Sequence, residues 1–240
     1  MSEPQPFAAL TRESLGQYLR QPLRAGGGTR PELALLEDGG GRRDACAPSS
    51  GRQAVVKDYR ASGWLMRRLV GPWLIGREEK VYRLLDGLPG IPQMICRLDR
   101  HALVVEHIAG RSCAEYPDRS LPAEFFDRLR EVVEGIHARG VVHCDIKNRS
   151  NIVVGEDGQP YVIDFASAFA RQGRWFPFRR LLFERFRVDD LRGVAKAKVL
   201  VARARTREEA HFAFHRGPLE RVVRAIRDAG RWVFRVMVKK

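Results

Sequence analysis

The chain has 240 residues, 44% of them hydrophobic, enough to bury a core in one large domain or two small lobes. Its four cysteines, Cys46, Cys96, Cys113 and Cys144, stand far apart with no C-x-x-C pair, which argues against a zinc ribbon or a disulfide framework and suits a reducing compartment. The net charge of +14 is uneven: residues 1–166 hold 23 Lys and Arg against 22 Asp and Glu, residues 167–240 hold 20 against 7. Such a basic final third implies an acidic partner (lipid headgroups, a phosphorylated glycan or nucleic acid) or a solvated basic surface.

Residues 1–31 carry Pro and Gly, with one short amphipathic piece from Thr11 to Leu23, and read as a partly ordered extension without the apolar run of a signal peptide. No later run approaches the ~18 apolar residues of a membrane span. Glu32 to Glu37 reads as a first strand, Asp38-Gly39-Gly40-Gly41 as a turn, and Gln53 to Lys57 as a second strand ending on a lysine. The glycine-rich turn could cover phosphates with backbone N–H groups or be an ordinary hairpin turn. After Gly71-Pro72, read as a breaker, a helix is expected from Leu74 to Leu85. Leu74, Glu78, Val81, Tyr82 and Leu85 share its apolar face, with Glu79 on the other side. A carboxylate on an inward face needs a cation, and Lys57 is the candidate. Pro89-Gly90-Ile91-Pro92 is a turn, and a strand follows through Ala102-Leu103-Val104-Val105. The clearest helix runs from Pro122 to Arg139, with Phe125, Leu129, Val132, Val133 and Ile136 as its stripe, Ser120 as a cap and Gly140 as its stop.

The chain is organised around the stretch from Val141 to Ala166. Two apolar runs flank a polar loop containing Asp145, Lys147, Asn148, Arg149 and Asn151. Val153-Val154 and Tyr161 to Ile163 then read as a hairpin that leads into Asp164. This would bring Asp145, Asn151 and Asp164 to one rim. An Asp and an Asn offering oxygen ligands, with a separate Asp to orient a hydroxyl, suit a site that binds Mg²⁺ and moves a phosphoryl group.

The stretch resembles the catalytic and metal loops of the protein kinase-like superfamily, H-R-D-x-x-x-x-N followed by D-F-G. Here it reads His143-Cys144-Asp145, then Asn151, then Asp164-Phe165-Ala166. Cys144 stands for the Arg, Ala166 for the Gly, and the loop to Asn151 is one residue longer. Among relatives it looks most similar to minimal bacterial kinases: lipopolysaccharide-core (Kdo and heptose) sugar kinases and RIO-type serine/threonine protein kinases. The resemblance implies an α+β, bilobal fold, with an N-terminal extension (1–31), a β-rich N-lobe with one helix (32–108) and an α-rich C-lobe with basic C-terminal helices (109–240). ATP and Mg²⁺ are the implied cofactors.

By the same resemblance, Asp145 is the catalytic base and Lys147 steadies the γ-phosphate. Lys57 holds the α- and β-phosphates and pairs with Glu78. The backbone around Glu106 and Ile108 meets adenine, and Asn151 and Asp164 bind the metal. His143 is expected to pack and hydrogen-bond rather than act as a base, and Arg149 either touches phosphate or lies on the surface. Without an Arg before Asp145, activity should not depend on phosphorylation of an activation loop. Ala166 should resist the φ > 0 conformations open to Gly. No A-P-E element follows Asp164, so a full peptide-binding C-lobe is not expected.

The interleaved Arg and aromatic residues of Arg174–Arg187 suit a membrane interface, an anionic glycolipid or an Arg-rimmed core helix, and they also permit RNA contact, the least favoured of these readings. Further helices are expected to start at Asp189-Asp190-Leu191, at the capping box Thr206-x-x-Glu209, and at Pro218 with Leu219, Val222, Val223 and Ile226 as a stripe. The activity implied is ATP- and Mg²⁺-dependent transfer of a phosphoryl group to a hydroxyl, on protein Ser/Thr or on a glycolipid sugar, with a nucleotide-binding pseudokinase scaffold as the alternative class. A cytoplasmic placement is expected. A peripheral seat on the inner face of the membrane, through residues 171–187 and 231–240, is the variant.

Overall fold

The computed structural model describes residue 7 and residues 10–37, 53–171, 177–203 and 206–214. The expected turn at Asp38–Gly41, the helix opened by Pro218, the 231–240 tail and Cys46 lie outside the described residues. The fold is mixed α+β, and the chain divides into two compact units. One comprises Met1–Glu79 and Gln93–His107; the other comprises Lys80–Pro92 and Ile108–Arg231.

The first unit is built on a five-stranded antiparallel sheet. Its strands are β1 (Leu19–Arg24), β2 (Glu32–Glu37), β3 (Gln53–Asp58), β4 (Met94–Arg97) and β5 (Ala102–Glu106), in the order β1-β2-β3-β5-β4. Strand periodicity divides β3 between two faces. Ala54 and Val56 join Leu36, Val104, Phe7 and Leu10 in an apolar cluster on one face, so Val55 and Lys57 point to the other. The expected extension therefore corrects: its Phe7 and Leu10 are core, and the amphipathic piece from Thr11 splits into a single 3₁₀ turn (Ser14–Gln17) and edge strand β1. Pro22 and the register shift beside it are features an edge strand tolerates.

Helix α1 (Gly71–Leu85) also corrects the sequence reading. Pro72 lies directly after a π-turn (Met66–Val70), where the i→i−5 bond of the Gly71 amide has already shifted the hydrogen-bond ladder and a residue without an N–H is accommodated. Gly71-Pro72 thus continues a helix rather than breaking one.

In the second unit, β6 (Gly110–Ser112), β8 (Ile152–Gly155) and β9 (Pro160–Val162) form a small sheet in the order β6-β8-β9. The pairing of Ile152 with Val162 and Val153 with Tyr161 is the expected hairpin. Helix α2 (Ala123–Ala138) buries Phe125, Phe126, Leu129, Val133 and Ile136; Val132 is only half-buried. Ser120 does not cap it: Pro122 holds that position, and the Ser120 hydroxyl donates to the Pro117 carbonyl instead. Gly140, at φ 75°, ends the turn by donating its N–H to the His137 carbonyl (2.9 Å), the left-handed stop expected of it.

Strand β7 (Val141–Val142) pairs with β10 (Phe169–Ala170). Helix α3 then runs unbroken over Pro177–Val201, so no helix starts at Asp189. Its early turns bury Phe183, and Phe186 packs on Phe169 at 6.2 Å between ring centroids, which makes that part of the Arg-aromatic stretch a core helix. Helix α4 (Arg207–Phe214) opens with the expected capping box, Thr206 N–H to Glu209 Oε2 (2.9 Å) and Glu209 N–H to Thr206 Oγ1 (3.1 Å).

Candidate active site

In the first unit the decisive feature is a buried ion pair. Lys57, on the face of β3 opposite the apolar cluster, places Nζ 2.8 Å and 3.0 Å from the two carboxylate oxygens of Glu78 on α1. Lys57 is 7% exposed and Glu78 2%. Helical spacing explains why Glu78 rather than its neighbour turns inward. Glu79 lies on the other side and meets Arg97 Nη1 at 2.7 Å. Two charges withdrawn from water persist only when paired at close range, so each fixes the rotamer of the other.

In the second unit the loop after β7 is held by one buried carboxylate. Asp190, in the middle of α3 and 1% exposed, accepts the His143 amide on Oδ2 (2.7 Å) and the Cys144 amide on Oδ1 (2.9 Å), while His137 Nε2 lies 3.2 Å from Oδ2. These bonds hold Cys144 at φ 67°, a conformation that costs a residue with a Cβ on the order of 1–3 kcal/mol. Helix α3 also approaches the loop closely at Gly193, where an added Cβ would lie 2.9 Å from the Lys147 backbone nitrogen.

His143 is wholly buried. Its Nδ1 accepts the Asp145 amide (3.3 Å), which leaves Nε2–H to donate to the Ile163 carbonyl (3.0 Å), and its ring meets Phe165 edge-on at 5.0 Å. It is a packing and hydrogen-bonding residue, as expected.

The loop brings two of the predicted side chains into contact. Asn151 Nδ2 donates to Asp145 Oδ2 (3.1 Å) and to the Asp145 carbonyl (3.2 Å). Asn148 instead caps its own turn, accepting the Ser150 amide (3.4 Å) and hydroxyl (2.8 Å) at the surface. Of the two asparagines it is therefore Asn151 that faces Asp145. The Asn151 carbonyl accepts the Ile163 amide (2.9 Å), and Asp164 follows one residue on, exposed and left-handed at φ 64° and ψ 77°. Asp164 Oδ1 takes the Ala166 amide at 3.4 Å. The left-handed residue is thus the Asp and not Ala166, which sits in a short 3₁₀ turn (Phe165–Ser167) and avoids positive φ, as expected of a residue with a Cβ.

Lys147 is exposed, two residues beyond Asp145. Arg149 is half-buried, with an Nη1 that makes no hydrogen bond among the described residues. Its charge acts on Cys113, whose thiol burial nevertheless pushes up to about 11. Glu106 ends β5 with its amide donated to the Gln93 carbonyl (2.8 Å) and its carboxylate accepting the Gln93 amide (3.0 Å). That amide is already committed, which leaves Glu106 only its carbonyl for an adenine contact. Ile108 is half-buried.

From sequence, Asp190 reads only as part of a helix start, and its hold on the loop is missed. The signal was present: Phe183, Asp190, Val194, Ala197 and Val201 fall on one buried stripe of α3, and a carboxylate in such a stripe needs donors, the argument already applied to Glu78.

The donor set near Asp145 can be tested against a metal. Asn151 turns its amide nitrogen to Asp145 and so turns its oxygen away, and Asp164 adds an exposed carboxylate. One carboxylate and one carboxamide oxygen fit Mg²⁺, which keeps much of its shell for water and phosphate. Among the described residues no cluster of three or more His, Cys, Asp or Glu forms a protein-only cage. No protein-family model matches the sequence, and no curated protein matches it significantly.

Proposed function

We propose that this chain is an ATP- and Mg²⁺-dependent phosphotransferase of the protein kinase-like type, transferring a phosphoryl group to an alcohol. The observation that carries the reading is the loop itself. Asp145 is bonded to Asn151, Asn151 is bonded through its backbone to the residue before Asp164, and the whole is anchored on a buried Asp190. The buried Lys57–Glu78 pair supports it independently, since a lysine held by a carboxylate is a preorganised donor to phosphate.

In this reading the two units are the two lobes of a kinase fold. Mg²⁺, when bound, neutralises charge on the transferred phosphoryl group. Asn151 and Asp164 are the residues that would hold it, through their side-chain oxygens. Asp145, its Oδ2 steadied by Asn151, orients the acceptor hydroxyl and takes its proton through a carboxylate oxygen. Lys57 binds the nucleotide phosphates with Glu78 fixing its direction, and Lys147 supplies a cation to the transferred group. Catalysis is then positioning and charge stabilisation rather than covalent chemistry.

Lys147 favours a protein Ser/Thr acceptor; a sugar hydroxyl of the lipopolysaccharide core is the alternative, with ATP consumed in either case. The test is Mg²⁺-dependent transfer from ATP to a generic basic protein and to core-sugar acceptors, with Asp145→Ala beside the wild type. Transfer lost in the variant supports the reading, and the preferred acceptor chooses the substrate class. Nucleotide binding with no turnover on any acceptor would point to a scaffold, and no nucleotide binding at all would overturn the proposal.

A further inference from the structure

The segment leading into α1 carries a feature that phosphoryl transfer does not use. From Tyr59 to Arg77 the chain contains Arg60, Arg67, Arg68 and Arg77 and no Asp or Glu. Within it Trp64 is 65% exposed, Leu69 61% and Trp73 60%. Single exposed apolar side chains are ordinary, but two tryptophans and a leucine grouped among arginines are not.

The local backbone explains the grouping. In an unbroken α-helix Trp64 would lie off the face shared by Leu69 and Trp73, because residues five apart do not stack. The π-turn over Met66–Val70, closed by the Gly71 amide on the Met66 carbonyl, underwinds the helix locally. That underwinding turns Leu69 toward the side of Trp64, so that both line one depression, and Trp73 follows four residues later at ordinary α spacing. Met66, inside the same turn, is buried and anchors it. Beside this face an open depression of about 470 Å³ is lined by Trp64, Arg68, Leu69 and Arg100. Arg77 stacks on Trp73, with its guanidinium 5.1 Å from the ring centroid.

We propose that this face, Trp64, Leu69 and Trp73 with Arg68 and Arg100 lining the depression and Arg67 exposed next to Arg68 in the chain, seats the chain on an anionic bilayer surface. Tryptophan is the side chain that settles at headgroup depth, leucine enters the acyl boundary, and arginine pairs with lipid phosphate. The depression, with guanidinium groups on its rim and indole and leucine in its wall, suits a glycerophosphate headgroup. A second copy of the chain is the poorer occupant, since an isologous contact would set this arginine cluster against itself. This seat is distinct from the C-terminal basic stretches and does not depend on the nucleotide reading.

The test uses the full chain and vesicles of phosphatidylcholine with or without an equal part of phosphatidylglycerol. Wild type is expected to co-sediment with the anionic vesicles and not with the neutral ones, less so as salt rises. The triple variant Trp64→Ser/Leu69→Ser/Trp73→Ser should lower partitioning on the order of tenfold or more. Arg67→Gln/Arg68→Gln should lower it about fivefold per arginine. In Trp175→Phe/Trp232→Phe, which leaves this face intact, brominated lipid should quench the fluorescence of Trp64 and Trp73. Triple-variant binding equal to wild type, or no quenching while the chain is vesicle-bound, would overturn the proposal. So would capture by acidic protein with no preference for anionic vesicles.

Discussion

Replacing Asp190 with Ala tests how the loop around Asp145 is held. The carboxylate takes two backbone N–H groups, from His143 at 2.7 Å and Cys144 at 2.9 Å, and lies 3.2 Å from His137 Nε2. Hydrogen bonds to a charged acceptor are each worth about 1.5–3 kcal/mol net. Losing the two amide bonds should therefore cost about 3–6 kcal/mol, a large share of the about 5–15 kcal/mol that holds a typical domain together. The methyl group of Ala also leaves a polar void that water can enter only if the surrounding helices part. Cys144, at φ 67°, would then be free to relax to negative φ, turning the chain away from Asp145. Asp190→Asn should cost less, because its carboxamide oxygen keeps one of the amides while its nitrogen repels the other. Urea unfolding with a common m-value would measure both. If Asp190→Ala lost less than about 1 kcal/mol, the loop would owe its shape to something other than this carboxylate, and the anchoring argument would fail.

Three further outcomes follow from the same geometry. Lys57→Met should destabilise by about 3–5 kcal/mol because it strands the Glu78 carboxylate, and Lys57→Met/Glu78→Leu should recover much of that loss in a double-mutant cycle; simple additivity in urea unfolding would refute the coupling. Gly193→Ala should cost about 1–3 kcal/mol by pressing on the Lys147 amide, readable as a lowered Tm, whereas an unchanged Tm would show that α3 stands off the loop. Burial alone would raise the Glu209 carboxyl, but the hydrogen bonds from Lys198 and the Thr206 amide outweigh it and hold its pKa below the usual value. A group depressed on folding contributes stability above its unfolded pKa, roughly 4.3, and loses it as pH falls through the folded value. The stability gap between wild type and Glu209→Gln should thus be full near neutrality and close on acidification; a gap independent of pH would contradict this.

How far the sequence could be read depends on how local each signal was. The β8–β9 hairpin, the stripe of α2 and the capping box of α4 were legible because their determinants lie within a few residues of one another. Glu78 was legible because a charge in an apolar stripe has few alternatives to a buried cation. The misreadings share an opposite cause. Pro72 looks like a breaker until the preceding π-turn is known, since that turn shifts the hydrogen-bond ladder so that the helix runs on through a residue without an N–H. Asp189-Asp190 looks like a helix start because Asp favours that position, yet Asp190 serves amides more than 45 residues earlier in the chain. The first strand of the sheet went unseen because Leu19–Arg24 alternates poorly and contains a proline, features that only its edge position makes tolerable.

The two departures from the kinase pattern bear directly on whether the site is built to act or only to bind. At both positions the structure uses backbone groups. Residue 144 contributes its N–H to Asp190 and a left-handed turn, and residue 166 contributes its N–H to Asp164. An arginine at 144 would add a cation able to answer a phosphate elsewhere in the chain, but the bonds that shape the loop would be the same. A glycine at 166 would widen the choices of a residue that here sits in ordinary helical geometry. Neither substitution removes a group that the proposed chemistry employs. Under the proposed kinase reading, the missing arginine removes the cation that would answer a phosphorylated activation loop, so activity should not depend on phosphorylation of such a loop.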